Sequence, residues 1–228
     1  MKNINPIPSS FRESFLKTSI GKQIEKENYD VILIDEPHQF FSTPREDLMT
    51  RCFSIAPFYY IDLLTEKSPK TIYDVGCGCN LWKNYYSNII GVDPVHINAD
   101  IQDTFDKNFV AKYNKKIQSM ISINALHFIP IGQLVERLKE VNETLADDGR
   151  AFITCNLARL IEYTEDLNFL GITNFKKYRP DPKLLKIIEN YIRSELYTST
   201  INFVCVDIDF SNYNSFINGN IRLVFDKS

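Results

Sequence analysis

The sequence is poor in the residues on which several kinds of site depend. It contains only 3 histidines, and His38, His96 and His127 lie far apart, without the spacing of metal ligands. We therefore predict no metal site. No apolar run approaches the roughly 20 residues that a membrane-spanning helix needs, and the first residues lack the apolar stretch of a secretion signal. We expect a soluble, cytoplasmic protein with no membrane partner.

The cysteine content and the charge balance indicate neither a disulfide-rich protein nor a basic nucleic-acid-binding protein. The 5 cysteines are odd in number and lie mostly in apolar runs, which indicates reduced thiols rather than a disulfide scaffold. The net charge is -3, so the chain is not a globally basic nucleic-acid binder. Nucleic acid stays possible as a partner but has no support from net charge, and a protein partner stays possible as well.

Two strand-like runs follow one another closely, and each ends in residues suited to a nucleotide. The first, 71–75, stops at Gly76 and Gly78, which let the backbone turn tightly and approach a ligand closely. The second, 89–92, is followed by Asp93, whose carboxylate can accept hydrogen bonds from both hydroxyls of a ribose. Together they predict a site for a nucleotide-type cofactor.

The residues after these glycines separate two classes of cofactor. A dinucleotide site needs a third glycine, so that the pyrophosphate can lie close to a helix N-terminus. This chain has Cys79, Asn80, Leu81 and Trp82 instead. Because Leu81 and Trp82 would crowd a pyrophosphate, an NAD-dependent oxidoreductase is disfavoured. A cofactor without phosphate groups, such as S-adenosylmethionine, tolerates them.

The turn resembles the first motif of the class I S-adenosylmethionine-dependent methyltransferases, which is an acidic residue followed by x-G-x-G-x-G. The match begins at Asp74 and ends at Asn80, which replaces the last glycine. Asparagine is the residue other than glycine that most readily adopts a positive φ, so we expect the turn to form.

This resemblance implies a set of cofactor contacts. Asp93 would bind the ribose, the Asp100 carboxylate would meet the adenine amino group, and the backbone N–H of Ile101 would meet a ring nitrogen. The complete set that we assign to S-adenosylmethionine is Asp74, Gly76, Cys77, Gly78, Asn80, Asp93, Asp100, Ile101 and Asn124.

The order of the elements predicts an α/β fold with three layers, a Rossmann-like methyltransferase sheet that is mostly parallel. Two consecutive strands, 201–210 and 221–225, have no helix between them and should form an antiparallel C-terminal pair. We assign residues 1–45 to an N-terminal extension and residues 46–228 to an S-adenosylmethionine-binding, methyltransferase-like domain.

Three helix boundaries follow from local signals. Apolar residues at helical spacing from 48 to 56 predict a helix that Pro57 interrupts or kinks, with a second segment over 58–64. A later apolar face, from Ile131 to Leu145, predicts a helix that Gly149 closes.

The loop after the fourth strand bears on the methyl acceptor. Family members that methylate base or amide nitrogens often have Asn/Asp-Pro-Pro-aromatic there, whereas this chain has residues 124–128, Asn-Ala-Leu-His-Phe. The difference argues against a DNA amino-methyltransferase and leaves a small molecule, a protein or RNA as the acceptor. His127 is the candidate general base, because an imidazole titrates near neutral pH; a structural histidine is the alternative.

Two questions about function stay open in the sequence. Tyr59 and Tyr60 are candidates for a lid over cofactor and acceptor, although aromatic residues at such positions more often belong to the core. The chain is also compatible with a noncatalytic methyltransferase-fold subunit or a virus-encoded interaction module, because a fold does not by itself establish an activity.

Overall fold

A computed structural model describes residues 9–26, 30–32, 52–54, 56–67, 71–123, 125–126, 131–156, 187, 190–192, 194–195, 203–209 and 220–227. The helices are α1 (Ser9–Leu16), α2 (Ser19–Lys26), α3 (Ala56–Lys67), α4 (Lys107–Tyr113) and α5 (Ile131–Thr144), and a 3-10 helix covers Leu81–Asn84. The strands are β1 (Asp30–Ile32), β2 (Cys52–Ser54), β3 (Ile72–Val75), β4 (Ile89–Val92), β5 (Ile117–Ile123), β6 (Leu145–Asn156), β7 (Phe203–Asp209) and β8 (Asn220–Asp226).

The main sheet has six strands in the order β4-β3-β5-β6-β8-β7. Strands β4, β3, β5 and β6 run parallel, whereas β8 pairs antiparallel with both β6 and β7. A parallel bridge between Val92 and Ile101 places one further residue beside the outer edge of β4. The predicted α/β fold with a mostly parallel sheet is confirmed, and the last two strands form a reversed pair.

Side chains alternate between the two faces of this sheet and build a core on each. On one face Val75, Met120 and Ile153 pack with α4 and α5. On the other face Ile72 and Ile121 pack with residues of α1, α2 and α3. Parallel strands covered by helices on both faces make three layers.

The second core joins the N-terminal helices to the rest of the fold. Phe58 of α3 is fully buried between Phe15 of α1, with ring centroids 4.5 Å apart, and Trp82 of the 3-10 helix, at 5.2 Å. Ile24 of α2 is buried in the same cluster. The boundary that we place after residue 45 stays a prediction, but residues on both sides of it share this core.

Three local predictions are wrong. Residues 52–54 form strand β2, which pairs in parallel with β1, although their spacing predicts a helix; pairing with another segment outweighed the local pattern. The remainder of that predicted helix, before residue 52, lies outside the described residues. Pro57 stands in the first turn of α3 rather than interrupting it, because no N–H is needed there.

The third error is Gly149, which does not close a helix. Helix α5 already ends at Thr144, and Gly149 lies within β6. The backbone runs so close there that a Cβ on Gly149 would be 2.8 Å from the carbonyl oxygen of Ile117.

In the described part of the chain, no helix combines the length and the apolar character required to cross a bilayer.

The position of Phe58 generates a stability prediction. Replacing Phe58 with Ala should lower the free energy of unfolding by about 3–5 kcal/mol, because a buried ring is lost and a cavity is left between α1 and the 3-10 helix. Urea denaturation measures this loss. The control is Val95→Ala, since Val95 is 85% exposed and its truncation should change the free energy by less than about 0.5 kcal/mol. Equal effects of the two substitutions would contradict the assigned packing.

Candidate functional site at the carboxyl ends of β3 and β4

The glycine turn, residues Gly76–Asn80, leaves the carboxyl end of β3. Gly76 and Gly78 have φ values of 73° and 52°, in the left-handed region that a side chain disfavours. A Cβ on Gly76 would also lie 2.2 Å from the Cβ of Ala125, in the loop after β5. The N–H groups of Gly76 and Cys77 both donate to the carbonyl oxygen of Val92, at 2.7 and 3.2 Å. The turn is therefore fixed between the ends of β4 and β5.

Asp93 follows β4 and faces the glycine turn. Its Oδ2 accepts the N–H of Gly78 at 3.1 Å, and its Oδ1 accepts the N–H groups of Val95 and His96, both at 2.9 Å. Because each carboxylate oxygen accepts about two hydrogen bonds, Oδ2 retains one acceptor position and Oδ1 is saturated. The carboxylate can therefore take one hydroxyl without rearrangement, and its contact with both ribose hydroxyls stays a prediction.

Asp100 is engaged within the protein. Its Oδ2 accepts the N–H of Gly91 at 2.9 Å and the side-chain amide of Asn80 at 3.0 Å, while its Oδ1 pairs with the Lys83 ammonium. Partial burial alone would raise the pKa of Asp100, but the hydrogen bonds from Lys83, Gly91 and Asn80 hold it below its ordinary value. An adenine contact by Asp100 stays a prediction; by the count used for Asp93, Oδ2 is saturated, so the contact would fall to Oδ1, beside Lys83.

Ile101 and Asp103 lie on the segment beside β4. The N–H of Ile101 already donates to the carbonyl oxygen of Gly91 at 3.0 Å, so the adenine contact that we predict for it would have to replace this bond. Asp103 comes two residues after the bridge, beyond the edge of the sheet, and its carboxylate accepts the N–H of Thr104 at 2.9 Å.

Asp74 is enclosed by the fold on β3. It is 2% exposed, and its Oδ2 has no hydrogen-bond partner among the residues that the structure describes. Burial, with a smaller contribution from the charge of Asp93, raises the pKa of Asp74 to about 7. This side chain is thus poorly placed to reach a ligand directly, and its predicted cofactor contact stays a prediction.

The two cysteines of the turn are unreactive by their environment. Cys77 is buried, and desolvation together with the charges of Asp74, Asp93 and Asp100 raises the pKa of its thiol to about 12. Burial also raises the pKa of Cys79. A thiol is a poor nucleophile and metal ligand unless it ionises.

In the described part of the chain, no three His, Cys, Asp or Glu side chains are grouped to hold a metal ion.

The segment after the turn is short. Leu81–Asn84 form a 3-10 helix of 4 residues. Its N-cap residue, Asn80, is in the left-handed conformation with φ 58° and makes no capping hydrogen bond with its side chain. Trp82 is buried against Phe58. An element this short offers little of the aligned backbone dipole on which pyrophosphate sites rely.

The predicted lid needs one correction. Tyr60 is 2% exposed, and its ring stacks on Phe152 of β6 with centroids 4.7 Å apart, so it is a core residue and not part of a lid. Tyr59 is half-buried and meets Phe11 of α1 edge-on at 5.0 Å, and its lid role stays a prediction. Two further site residues, Asn124 and His127, lie outside the described residues.

The strand order and the reversed last pair give the chain the class I methyltransferase fold that its motif implies. No protein-family model matches the chain, and the curated proteins include no match to its sequence.

Several solved structures match by fold. An S-adenosylmethionine-dependent methyltransferase from Anabaena variabilis is 11% identical, with 99% of this chain and 98% of that chain covered and a TM-score of 0.47. The 1,6-didemethyltoxoflavin-N1-methyltransferase from Burkholderia thailandensis is 10% identical, with coverages of 99% and 93% and a TM-score of 0.44. An S-adenosylmethionine-dependent methyltransferase from Archaeoglobus fulgidus is 14% identical, with coverages of 72% and 91% and a TM-score of 0.41. At these values the likenesses carry no conclusion about activity or acceptor.

Asp74 generates a prediction about pH. The pKa of an aspartate is about 3.9 in an unfolded chain, whereas in the folded state that of Asp74 is about 7. Between these values the folded state holds a proton that the unfolded state has lost, so the contribution of Asp74 to stability falls as the pH rises through this window.

The neutral variant Asp74→Asn removes that dependence. Its free energy of unfolding relative to the unmodified protein should rise between pH 5 and pH 8, as urea denaturation at each pH measures. The control is Asp147→Asn, because the Asp147 side chain is 84% exposed, and its difference should not change with pH. A difference for Asp74→Asn that is equal at both pH values would refute the raised pKa.

Proposed function

We propose that this protein is an S-adenosylmethionine-dependent methyltransferase with an acceptor that is not yet identified. The observation that carries the proposal is the glycine turn at the carboxyl end of β3, held against β4 with the half-buried Asp93 carboxylate facing it. Ligands of open α/β sheets bind beyond the carboxyl ends of the strands, where such turns lie.

The chain's own residues fit this cofactor. The positive φ values of Gly76 and Gly78 leave backbone without side chains beside Asp93, and Oδ2 of Asp93 retains an acceptor position for a sugar hydroxyl. When bound, S-adenosylmethionine supplies an already activated methyl group. The protein then has to orient the acceptor and, where the acceptor requires it, to remove a proton.

A dinucleotide cofactor fits this turn less well. The third glycine is absent, and the element that follows is a 3-10 helix of 4 residues whose Trp82 is fixed in the core. A pyrophosphate would find neither close backbone approach nor a long helix N-terminus at this position. These features support an adenosyl cofactor without phosphate over NAD.

The acceptor and the proton-accepting group belong to the same proposal. We expect a small molecule, a protein or RNA as acceptor and not an amino group of a DNA base, on the evidence of residues 124–128. His127 is our candidate for the general base. If the chain instead serves as a noncatalytic subunit with this fold, it should bind no adenosyl cofactor or bind it without any methyl transfer.

The cofactor assignment generates a binding prediction. The substitution Asp93→Asn should weaken binding of S-adenosylhomocysteine, the demethylated cofactor, by on the order of 2 kcal/mol, or about 30-fold in Kd, because a charged acceptor of a sugar hydroxyl is lost. Isothermal titration calorimetry of the full chain measures the effect. Asp148→Asn, at an exposed position of the same sheet, should leave the Kd unchanged.

The same titration tests the competing classes. NAD should give no heat with the unmodified protein. If neither S-adenosylmethionine nor S-adenosylhomocysteine binds, the noncatalytic alternative takes the place of the methyltransferase. If both bind and Asp93→Asn changes nothing, the ribose role of Asp93 is wrong.

A further inference from the structure

Asn80, which stands in place of the last motif glycine, makes side-chain contacts with the segment that follows β4. Asn80 is 5% exposed, and its side-chain Nδ2 donates to the carbonyl oxygen of Asn98 and to Oδ2 of Asp100, both at 3.0 Å. These two acceptors fix the orientation of the Asn80 amide. If the amide were flipped, its oxygen would face two other acceptors and could bond to neither. In this orientation Asn80 Oδ1 has no hydrogen-bond partner within the described part of the chain.

The Asn80 side chain lies directly against the backbone of Gly91 in β4. A Cβ on Gly91 would lie 2.5 Å from both Cγ and Oδ1 of Asn80 and 2.7 Å from its Nδ2. Separations below 3.0 Å are not found for real Cβ atoms, so the Asn80 amide occupies the space that any larger residue at 91 would need. The glycine that admits the close approach of Asn80 thus stands on the neighbouring strand.

Asp100 joins these two residues. Oδ2 of Asp100 accepts the N–H of Gly91 as well as the amide of Asn80, and Oδ1 pairs with Lys83 on the 3-10 helix. We call these four residues, Asn80, Lys83, Gly91 and Asp100, the Asp100 cluster. One carboxylate thus connects the end of the glycine turn, the helix after it and strand β4.

We propose that Asn80 and Asp100 are positioning residues for the cofactor, which fix the glycine turn to β4 in place of the missing motif glycine and depend on Gly91 to do so. The proposal rests on the proposed function for the identity of the ligand. It assigns Asp100 to the protein side of the site, where its carboxylate orients Asn80 and Lys83. The backbone of Gly76 and Gly78 is then held in one conformation before the cofactor binds. This reduces the loss of conformational entropy that binding would otherwise require.

Substitutions at Asn80 and Gly91 test the proposal. If the two residues are matched in shape, the substitution at Asn80 must rescue the defect caused by the substitution at Gly91. Gly91→Ala alone should lower Tm by about 5 °C or more and weaken S-adenosylhomocysteine binding at least about 30-fold. Asn80→Gly alone should weaken binding by about 3–10-fold, since the turn loses its contacts but not its conformation. In the double variant the space is free again, and its Kd and Tm should return close to those of Asn80→Gly.

A matched control separates this pair from a general gain of flexibility. Asn84→Gly changes an exposed asparagine of the same 3-10 helix and should not rescue Gly91→Ala. Affinities are measured by calorimetry on the full chain at a temperature where circular dichroism shows each variant to be folded, so a loss of affinity is not a loss of folded protein. If Gly91→Ala does not fold, folding of the Asn80→Gly, Gly91→Ala double variant is itself the rescue.

Asp100→Ala provides the second arm. It should weaken cofactor binding by about 10-fold in the unmodified chain and by less than about 3-fold in the Asn80→Gly background, because both substitutions remove the Asn80–Asp100 hydrogen bond through which the proposal has Asp100 act on the turn. Additive effects, or a Gly91→Ala variant that Asn80→Gly does not rescue, overturn the proposal. If the unmodified protein binds no adenosyl ligand, the proposed function fails, whereas rescue or its absence in Tm still decides whether Asn80 and Gly91 are a matched pair.

Discussion

The hydrogen bonds from backbone N–H groups to two aspartates, Asp93 and Asp100, are the interaction on which the site depends. Asp93 accepts from Gly78 in the turn, and Asp100 accepts from Gly91 in β4. Such charge-assisted bonds are stronger than those between neutral groups and hold a loop without regular secondary structure in one shape. Without them the first residues of the turn would keep their bonds to Val92, whereas the bond of Gly78 to Asp93 and the contact of Asn80 with Asp100 would be lost.

The two cores explain why these carboxylates can act on fixed partners. Strand β3 lies between β4 and β5, and Ile72 and Val75 are buried on opposite faces of the sheet. Beyond the turn, Trp82 is buried against Phe58 of α3. Both ends of the glycine turn therefore leave from closely packed structure, and only its five residues have to be arranged by polar contacts.

Much of this arrangement could be predicted from short stretches of sequence. The turn, the acid after β4 and the alternation of strands and helices follow from glycine spacing and hydrophobic pattern, because they depend on neighbours in the chain. The strand at 52–54 could not be predicted, since it forms by pairing with β1. The same holds for Tyr60, which stacks on Phe152, and for Asp100, whose partners Asn80 and Gly91 meet only in the folded chain.

The electrostatics around the glycine turn are set by acidic side chains. Three carboxyl groups, those of Asp74, Asp93 and Asp100, lie close enough to raise the pKa of the Cys77 thiol together with burial. Lys83 pairs with Asp100, the raised pKa of Asp74 leaves it partly protonated near neutral pH, and Asp93 accepts the N–H groups of Gly78, Val95 and His96. A carboxylate at the place of Asp93 can accept ribose hydroxyls from an adenosyl cofactor and from a dinucleotide alike, so charge does not separate the two classes. The shape of the turn does, because the third glycine is absent and the 3-10 helix that follows has only 4 residues, which leaves a pyrophosphate without close backbone approach or a long helix N-terminus.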